Sequence, residues 1–506
     1  MNVFNWIAQA FVKLVTSVNN LLWGDLVVLE FSNGETQFGL SLLVLILIPV
    51  GIYFTVKTKF LPFRLFPEMI RVTLEKDESK GKEKDKDSIS GVQALIVATA
   101  TRVGMGNLAG VVAAVSVGGA GAVFWMWITA LIGSSTAFIE STLAQIYKEK
   151  DPLYGGYRGG PAYFMDRMRM ITKIKREDVY VKDVNGEAEY VSMDKESHYS
   201  RGCKFRLLGV LFALSGLLCW AGISQVVANS VTTSMKNAFN IPQIATTVVL
   251  VAMSAVIVLR KNATVKVLDR VVPVMAVAYF AITIFIILKN ITLMPSVLGN
   301  IFSQAFGLKQ IAGGGLGAVV MNGVKRGLFS NEAGSGSAPC AAASADVIHP
   351  AKQGLIQSLG VFIDTLVICS CSAFLMLLAP DSVIGGLEGM DLLQAAMNHH
   401  LGYFGVAFIA VILFLFSFST FIGILYYARP NVAYVFGDTW AAQTGYKIFC
   451  LAMLFIGGLA AYTFVWDLGD LGVGLMTIFN MIAILPLASQ ALNSLKDYEA
   501  NYMKKK

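Results

Sequence analysis

Long apolar blocks, separated by short polar stretches, run from about residue 38 to about residue 491. Their length matches the roughly 20 apolar residues that a helix needs to cross a bilayer. They predict eleven spans, at about 38–57, 89–117, 120–147, 205–236, 242–260, 267–288, 311–341, 355–379, 403–428, 445–465 and 469–491. Residues 1–34 read differently. Their NWIAQAFVKLVTSVNNLLW stretch alternates apolar and polar positions at helical spacing, which predicts an amphipathic helix lying at the membrane surface. Two polar segments interrupt the blocks: the stretch containing KDESKGKEKDKD after the first span, and the larger piece 149–203. Within the second, DVYVKDVNGEAEYVSM alternates around Asn185-Gly186, a hairpin-turn pair. It predicts a solvent-facing β-hairpin with no chemistry of its own.

Composition narrows the class. Of the 506 residues, 55% are hydrophobic and only 14% charged, against roughly 25% charged in a soluble domain. A secreted disulfide scaffold, a disordered chain and a soluble enzyme are excluded. Of the six cysteines, Cys219, Cys369, Cys371 and Cys450 lie inside apolar runs, and none shows metal-ligand spacing. The net charge of +7 becomes informative once it is placed along the chain. With the N-terminus outside, 33 of the 40 basic residues fall in cytoplasmic segments, and only Lys13, Lys236, Lys289 and Lys309 fall outside. This is the positive-inside pattern of a multi-pass plasma-membrane protein with a cytoplasmic C-terminus. The positive balance is a topology signal and requires no nucleic-acid partner.

Two spans are interrupted alike. One contains Thr101-Arg-Val-Gly-Met-Gly-Asn107-Leu-Ala-Gly110, the other Arg326-Gly-Leu-Phe-Ser-Asn331-Glu-Ala-Gly-Ser-Gly336. They lie five spans apart, so they cross the membrane in opposite directions. The expected fold is therefore an all-α integral membrane protein. One leading helix (38–57) precedes a 5+5 inverted repeat, 89–288 and 311–491, with broken first and sixth core helices and a cytoplasmic tail at 492–506. Glycines at mid-membrane depth free amides and carbonyls, which is tolerable only where they line a cavity or hold a ligand.

The stretches TRVGMGNLAGV, YRGGPAYFM, VKRGLFSNEAGSGSAP, HPAKQGLIQSLGVFIDT and FSFST resemble the alanine or glycine:cation symporter family. The resemblance covers about residues 38 to 490 and implies sodium-coupled symport of a small neutral amino acid, on the fold shared with the neurotransmitter:sodium symporters. Sodium serves as the coupling ion, with no other cofactor. The resemblance further implies a sodium site built from the carbonyls of Ala100, Val103 and Phe416 with the hydroxyls of Ser419 and Thr420. A cage of uncharged oxygens suits an ion that must also be released. The substrate would lie against Thr101, the amides of Gly104, Met105 and Gly106, Asn107, the carbonyls near Phe329 and Ser330, and Ile424. Arg102, Asn331 and Glu332 are expected to have gating or structural roles, since an unpaired intramembrane charge is costly. Asp364 and Thr365, from the FIDT motif, are expected to pack.

Two departures bear on the substrate. Alanine-type members carry a tryptophan where Ile424 stands, and Val227-Ala-Asn-Ser230 replaces a QANS motif. The smaller Ile424 predicts room for neutral amino acids larger than alanine, such as glutamine, serine or threonine. Proton coupling is the variant reading, separable by uptake in sodium-free buffer. A channel would show polar stripes or charged rings along whole helices, whereas these spans are broken at their centres. An integral-membrane enzyme lacks support, because all four histidines fall outside the spans or at their edges.

Overall fold

The computed structural model of the chain describes residues 3–30, 37–75, 88–167, 182–184, 187–189, 203–260, 263–306, 316–460 and 462–503. Helix dominates, as the apolar blocks predict. The principal elements begin with α1 (Val3–Trp23), β1 (Val27–Glu30), β2 (Gln37–Leu40), α2 (Leu42–Lys57) and α3 (Phe66–Leu74). There follow α4 (Gly91–Thr101), α5 (Val111–Gly118), α6 (Gly121–Ile146), α7 (Pro161–Asp166), β3 (Lys182–Val184), β4 (Glu187–Glu189) and α8 (Cys203–Phe239). Next are α9 (Gln243–Val258), α10 (Ala263–Lys289), α11 (Met294–Ala305), α12 (Leu316–Asn331) and α13 (Ala338–Ala342). The chain closes with α14 (Pro350–Val361), α15 (Ser370–Leu377), α16 (Gly389–Leu401), α17 (Tyr403–Phe436), α18 (Trp440–Gly457) and α19 (Tyr462–Asp497).

Among the described residues, seven helical stretches are long and apolar enough to cross a bilayer: Gly91–Gly118, Gly121–Ile146, Arg206–Phe239, Arg270–Lys289, Pro350–Leu377, Tyr403–Phe436 and Val465–Tyr502. Leu42–Lys57 and Gln243–Val258 are apolar but shorter. The expected spans at 311–341 and 445–465 correspond to the interrupted pair α12/α13 and to α18. On α10, Val274, Val277, Phe285 and Leu288 are all more than half exposed. A run of bare apolar side chains on a helix this long belongs against lipid tails, not water.

Several expectations require correction. The leading helix starts at Leu42, because Gln37–Leu40 pairs with Val27–Glu30 as an antiparallel hairpin. Ser41 then caps α2, its hydroxyl accepting from the Val44 amide at 3.3 Å. The segment 149–203 is not polar throughout: Pro161, Ala162, Phe164 and Met165 are buried, and α7 packs on α8. Its entry is set by Gly160 (φ 122°), where a Cβ would lie 2.9 Å from the Cys340 sulfur. Residues 389–401, which lie between two of the expected spans, form α16. The tail is helical as far as Asp497, and Leu495 and Tyr498 are buried. The amphipathic N-terminal helix forms, but its inner face docks on α19. Asn19 Nδ2 donates to the Asp467 carbonyl at 2.7 Å, and Trp23 Nε1 to the Asp470 carbonyl at 3.1 Å. β3 and β4 pair with Val184 opposite Glu187, as the hairpin reading predicts. Asn185-Gly186, KDESKGKEKDKD, the start of the second repeat near 311 and the terminal KKK lie outside the described residues.

Packing gathers the long helices into two groups, which also meet where α6 touches α19. α6 lies against both α12 and α14, while α8 lies against α17, α18 and α19. The interrupted stretch between α4 and α5 touches α12 and α17, so it stands where the two groups meet.

Candidate functional site

Between α4 and α5, residues Arg102–Gly110 run in wide turns, and Val103 (φ −75°, ψ 73°) and Gly104 (φ −155°, ψ −132°) leave helical geometry. The sequence permits this because α17 comes close. A Cβ on Gly104 would overlap Thr420 Oγ1 and lie 3.3 Å from the Phe416 carbonyl oxygen. On Gly106 it would meet Ser330 Cα at 3.2 Å and the Phe329 oxygen at 3.5 Å. The two glycines thus let the first break touch α17 on one side and the second break on the other.

Four of the five residues expected around sodium converge. Ser419 Oγ donates to the Phe416 carbonyl at 2.8 Å and lies 3.4 Å from the Ala100 carbonyl. Thr420 Oγ1 reaches the same Ala100 oxygen at 3.3 Å and accepts from the Met105 amide at 3.3 Å. Val103 contributes the non-helical ψ that turns its carbonyl out of the α4 ladder. All five residues are buried. The donor set is uncharged oxygen, which suits a monovalent hard cation.

Asp364 is more central than the sequence indicated. Wholly buried in the wide-turned stretch Phe362–Cys369, it accepts from Asn107 Nδ2 at 2.8 Å through one oxygen. Its other oxygen accepts from Ser330 Oγ at 2.9 Å and Thr365 Oγ1 at 2.8 Å. Asn107 in turn accepts from the Gly104 amide at 3.2 Å. One carboxylate therefore joins the first break, through Asn107, to the second, through Ser330. Two of the three amides expected to hold a substrate carboxylate, those of Gly104 and Met105, are bonded to Asn107 and Thr420.

The second break lies between α12 and α13. Glu332 (φ 58°), Gly334 (φ 94°) and Gly336 (φ 81°) are left-handed there, a conformation that glycine adopts without strain. Asn331 Oδ1 accepts from the Ala333 amide at 3.0 Å, which starts the turn. Arg102 Nε and Glu332 Oε2 are 3.9 Å apart, the expected pairing, and the Tyr427 hydroxyl donates to Glu332 at 3.1 Å. Thr101 belongs to this group rather than to the Asn107 cluster, its Oγ1 lying 2.7 Å from the Tyr427 hydroxyl. Ile424 is buried on α17, four residues beyond Thr420 and so on the same helical face.

Sequence reasoning missed three partners. Glu140 on α6 and Asn480 on α19 hold the Gly334 peptide, with Oε1 accepting from its amide at 3.2 Å and Nδ2 donating to its carbonyl at 3.0 Å. Beside Phe329, Arg326 meets Asp470 at 3.1 and 3.2 Å, and Lys325 meets the same carboxylate at 2.7 Å. The Arg326 guanidinium lies 4.2 Å from the centre of the Trp466 ring. A signal existed: Glu140 and Asp470 are ionisable residues inside apolar runs, which membrane energetics rarely permits without a partner.

The profile of the sodium:alanine symporter family matches residues 25–175 and 185–506. The chain is 40% identical over 494 residues to the "Probable sodium/glutamine symporter GlnT" of Bacillus subtilis (strain 168), covering 97% of this chain and 91% of that one. It is 39% identical to the amino-acid carrier protein AlsT of the same organism, covering 92% and 91%. It is also 32% identical to the sodium/alanine symporter AgcS of Methanococcus maripaludis, covering 96% and 97%. Among solved structures, a mutant of the Eremococcus coleocola manganese transporter superposes with a TM-score of 0.50 at 11% identity, over 88% of this chain and 83% of that one, a likeness of fold alone. Matched along nearly its whole length, the chain belongs to the sodium:alanine symporter family and is a membrane transporter, not an enzyme.

Proposed function

We propose that the chain carries a small neutral amino acid across the plasma membrane together with sodium, by alternating access around the two breaks, with its N-terminus outside and its C-terminus cytoplasmic. The observation that carries the ion assignment is the convergence of Ser419 and Thr420 on the Ala100 carbonyl beside the first break. In this reading the hydroxyls turn their lone pairs to sodium, joined by the carbonyls of Ala100, Val103 and Phe416. The substrate lies between Gly104–Asn107 and Phe329–Ser330, near Ile424, with its carboxylate toward the amides of the first break. Asp364 supplies the negative charge that the substrate ammonium or a cation needs at this depth, where an uncompensated charge costs several kcal/mol. Arg102 with Glu332, and Arg326 with Asp470, act as closures on either side.

The substrate proposal is glutamine, serine or threonine, alongside or in place of alanine and glycine. It is supported by Ile424 and by similarity to a protein named as a sodium/glutamine symporter. Purified protein in liposomes should take up labelled glutamine or alanine down an imposed sodium gradient. Asp364→Asn should lower uptake by about tenfold or more, the scale of losing a charge-assisted hydrogen bond. Equal uptake from sodium-free buffer driven by a proton gradient would replace sodium with the proton.

A further inference from the structure

We infer that Glu140 is a positioning residue for transport: with Asn480 it clamps the Gly334 peptide and thereby sets the shape of the second break at which substrate binds. The inference rests on the substrate placement proposed above.

Glu140 is wholly buried in the last third of α6, an expensive place for an acid unless both oxygens are used. They are used. One accepts from the Gly334 amide and the other from Asn480 Nδ2 at 2.7 Å, while the same Nδ2 donates to the Gly334 carbonyl. The left-handed turn at Gly334 takes that residue out of helical hydrogen bonding, so the amide before its Cα and the carbonyl after it both need partners. Helices α6 and α19, neither of them broken here, supply one partner each. Asn480 can face Glu140 only through its NH2, since its own oxygen would oppose a carboxylate. There is also no slack: a Cβ on Gly334 would overlap Met481 Cε, and one on Gly336 would lie 3.0 Å from Asn480 Cγ.

This geometry explains a carboxylate in preference to an amide. Two donors point at Glu140, and only a carboxylate offers two acceptors. Glutamine would satisfy one donor and face the other with its own NH2. The second break would then lose its fixed shape, and Phe329–Ser330, at its leading edge, would lose its register against Gly106. The first break and α17, which hold the sodium candidates, are not part of the clamp.

The test separates positioning from plain stability. Sodium binding in the absence of amino acid, and glutamine and alanine binding in saturating sodium, are measured on the purified full chain. The variants are Glu140→Gln, Asn480→Asp and the pair together. Each single change should weaken amino-acid binding by about tenfold or more, while sodium binding alone moves by less than about threefold. The pair should stay as weak as the single changes: the new glutamine side chain can accept from the Gly334 amide and donate to the new aspartate on α19, but that carboxylate has no hydrogen to donate to the Gly334 carbonyl. Amino-acid binding at the wild-type level in Glu140→Gln overturns the inference. So does a parallel fall of sodium and amino-acid affinity that tracks melting temperature. If Glu140→Gln does not fold, Asn480→Ala, which removes the donor to the Gly334 carbonyl and to one Glu140 oxygen while leaving the Glu140–Gly334 amide bond, is judged by the same criteria. A wild type that binds no amino acid in sodium would sink the transport reading itself, and this inference with it.

Discussion

In the first break the chain leaves helical geometry at Val103 and Gly104 alone, and hydroxyls from one facing helix fill the gap. In the second it turns left-handed three times between Glu332 and Gly336, and a carboxylate and an amide from two other helices take up the freed peptide. The contrast separates two tasks. Neutral hydroxyl-to-carbonyl bonds contribute roughly 1 kcal/mol each and exchange partners cheaply, which suits an ion that enters and leaves. A glycine held on both sides, its amide by one helix and its carbonyl by another, at a φ of 94° that disfavours any side chain, holds a shape.

The largest effects should come from closing the gaps themselves. Gly104→Ala pushes a methyl into Thr420, and Gly334→Ala combines φ 94° with a clash against Met481. Both should reach the membrane yet show no measurable uptake. If Gly104→Ala removes sodium binding while Gly334→Ala leaves sodium binding intact and removes amino-acid binding, the division of labour is sharpened; identical profiles break it. Next in size, Ser419→Ala with Thr420→Ala should raise the sodium concentration for half-maximal uptake about thirtyfold, the sum of two hydroxyl contacts of about 1 kcal/mol each. Unchanged sodium dependence in the folded double variant removes the ion assignment.

A smaller shift is expected at Ile424. Ile424→Trp should lower uptake of glutamine relative to alanine by about tenfold, since one or two methylene-sized groups in an apolar pocket are worth about 1–3 kcal/mol. An unchanged ranking by size would return the pocket to alanine and glycine. The smallest effect concerns neither break and serves as the control. His349, ahead of α14, donates from Nε2 to Asp497 at 3.0 Å and accepts the Ala351 amide at Nδ1. Burial holds its imidazole down at about 4, so it is neutral in the fold. The unfolded chain, with an ordinary histidine near 6.5, takes up the proton first. Stability is therefore full above about pH 6.5 and falls as the pH drops toward 4, by roughly 1–2 kcal/mol between pH 6.5 and 5. His349→Gln should flatten that part of a melting-temperature profile and leave the substrate ranking untouched.

Much of this was legible in the residues. Glycine pairs beside polar residues in an apolar run, as in VGMGN and NEAGSG, announce both breaks, because they free backbone groups at a depth where only a cavity or a ligand makes that tolerable. The Ser419-Thr420 pair was legible through its resemblance to a known family. The hidden part depends on contacts distant in sequence. Nothing local to Glu140 tells that its oxygens meet Gly334, 194 positions away, or that Asn480 completes the clamp 340 positions on. Asp364 reads as a packing residue because two of its three partners, Asn107 and Ser330, lie 257 and 34 positions away in the sequence. Hydropathy alone starts the leading helix too early, because Gln37–Leu40 runs into the apolar block of α2 yet pairs as a strand.

The Asp470 carboxylate has an optical consequence. Of the chain's seven tryptophans, Trp23 donates its indole N–H to the Asp470 backbone beneath Lys325, and Trp466 lies under Arg326. Both rings are nearly buried, each beside a cation that Asp470 neutralises. Parting that ion cluster changes the field across two indoles and their contact with water at once. Under the closure role proposed for Arg326 and Asp470 the protein carries its own fluorophores there, and a stopped-flow emission trace after mixing with sodium and amino acid would time the movement without a label.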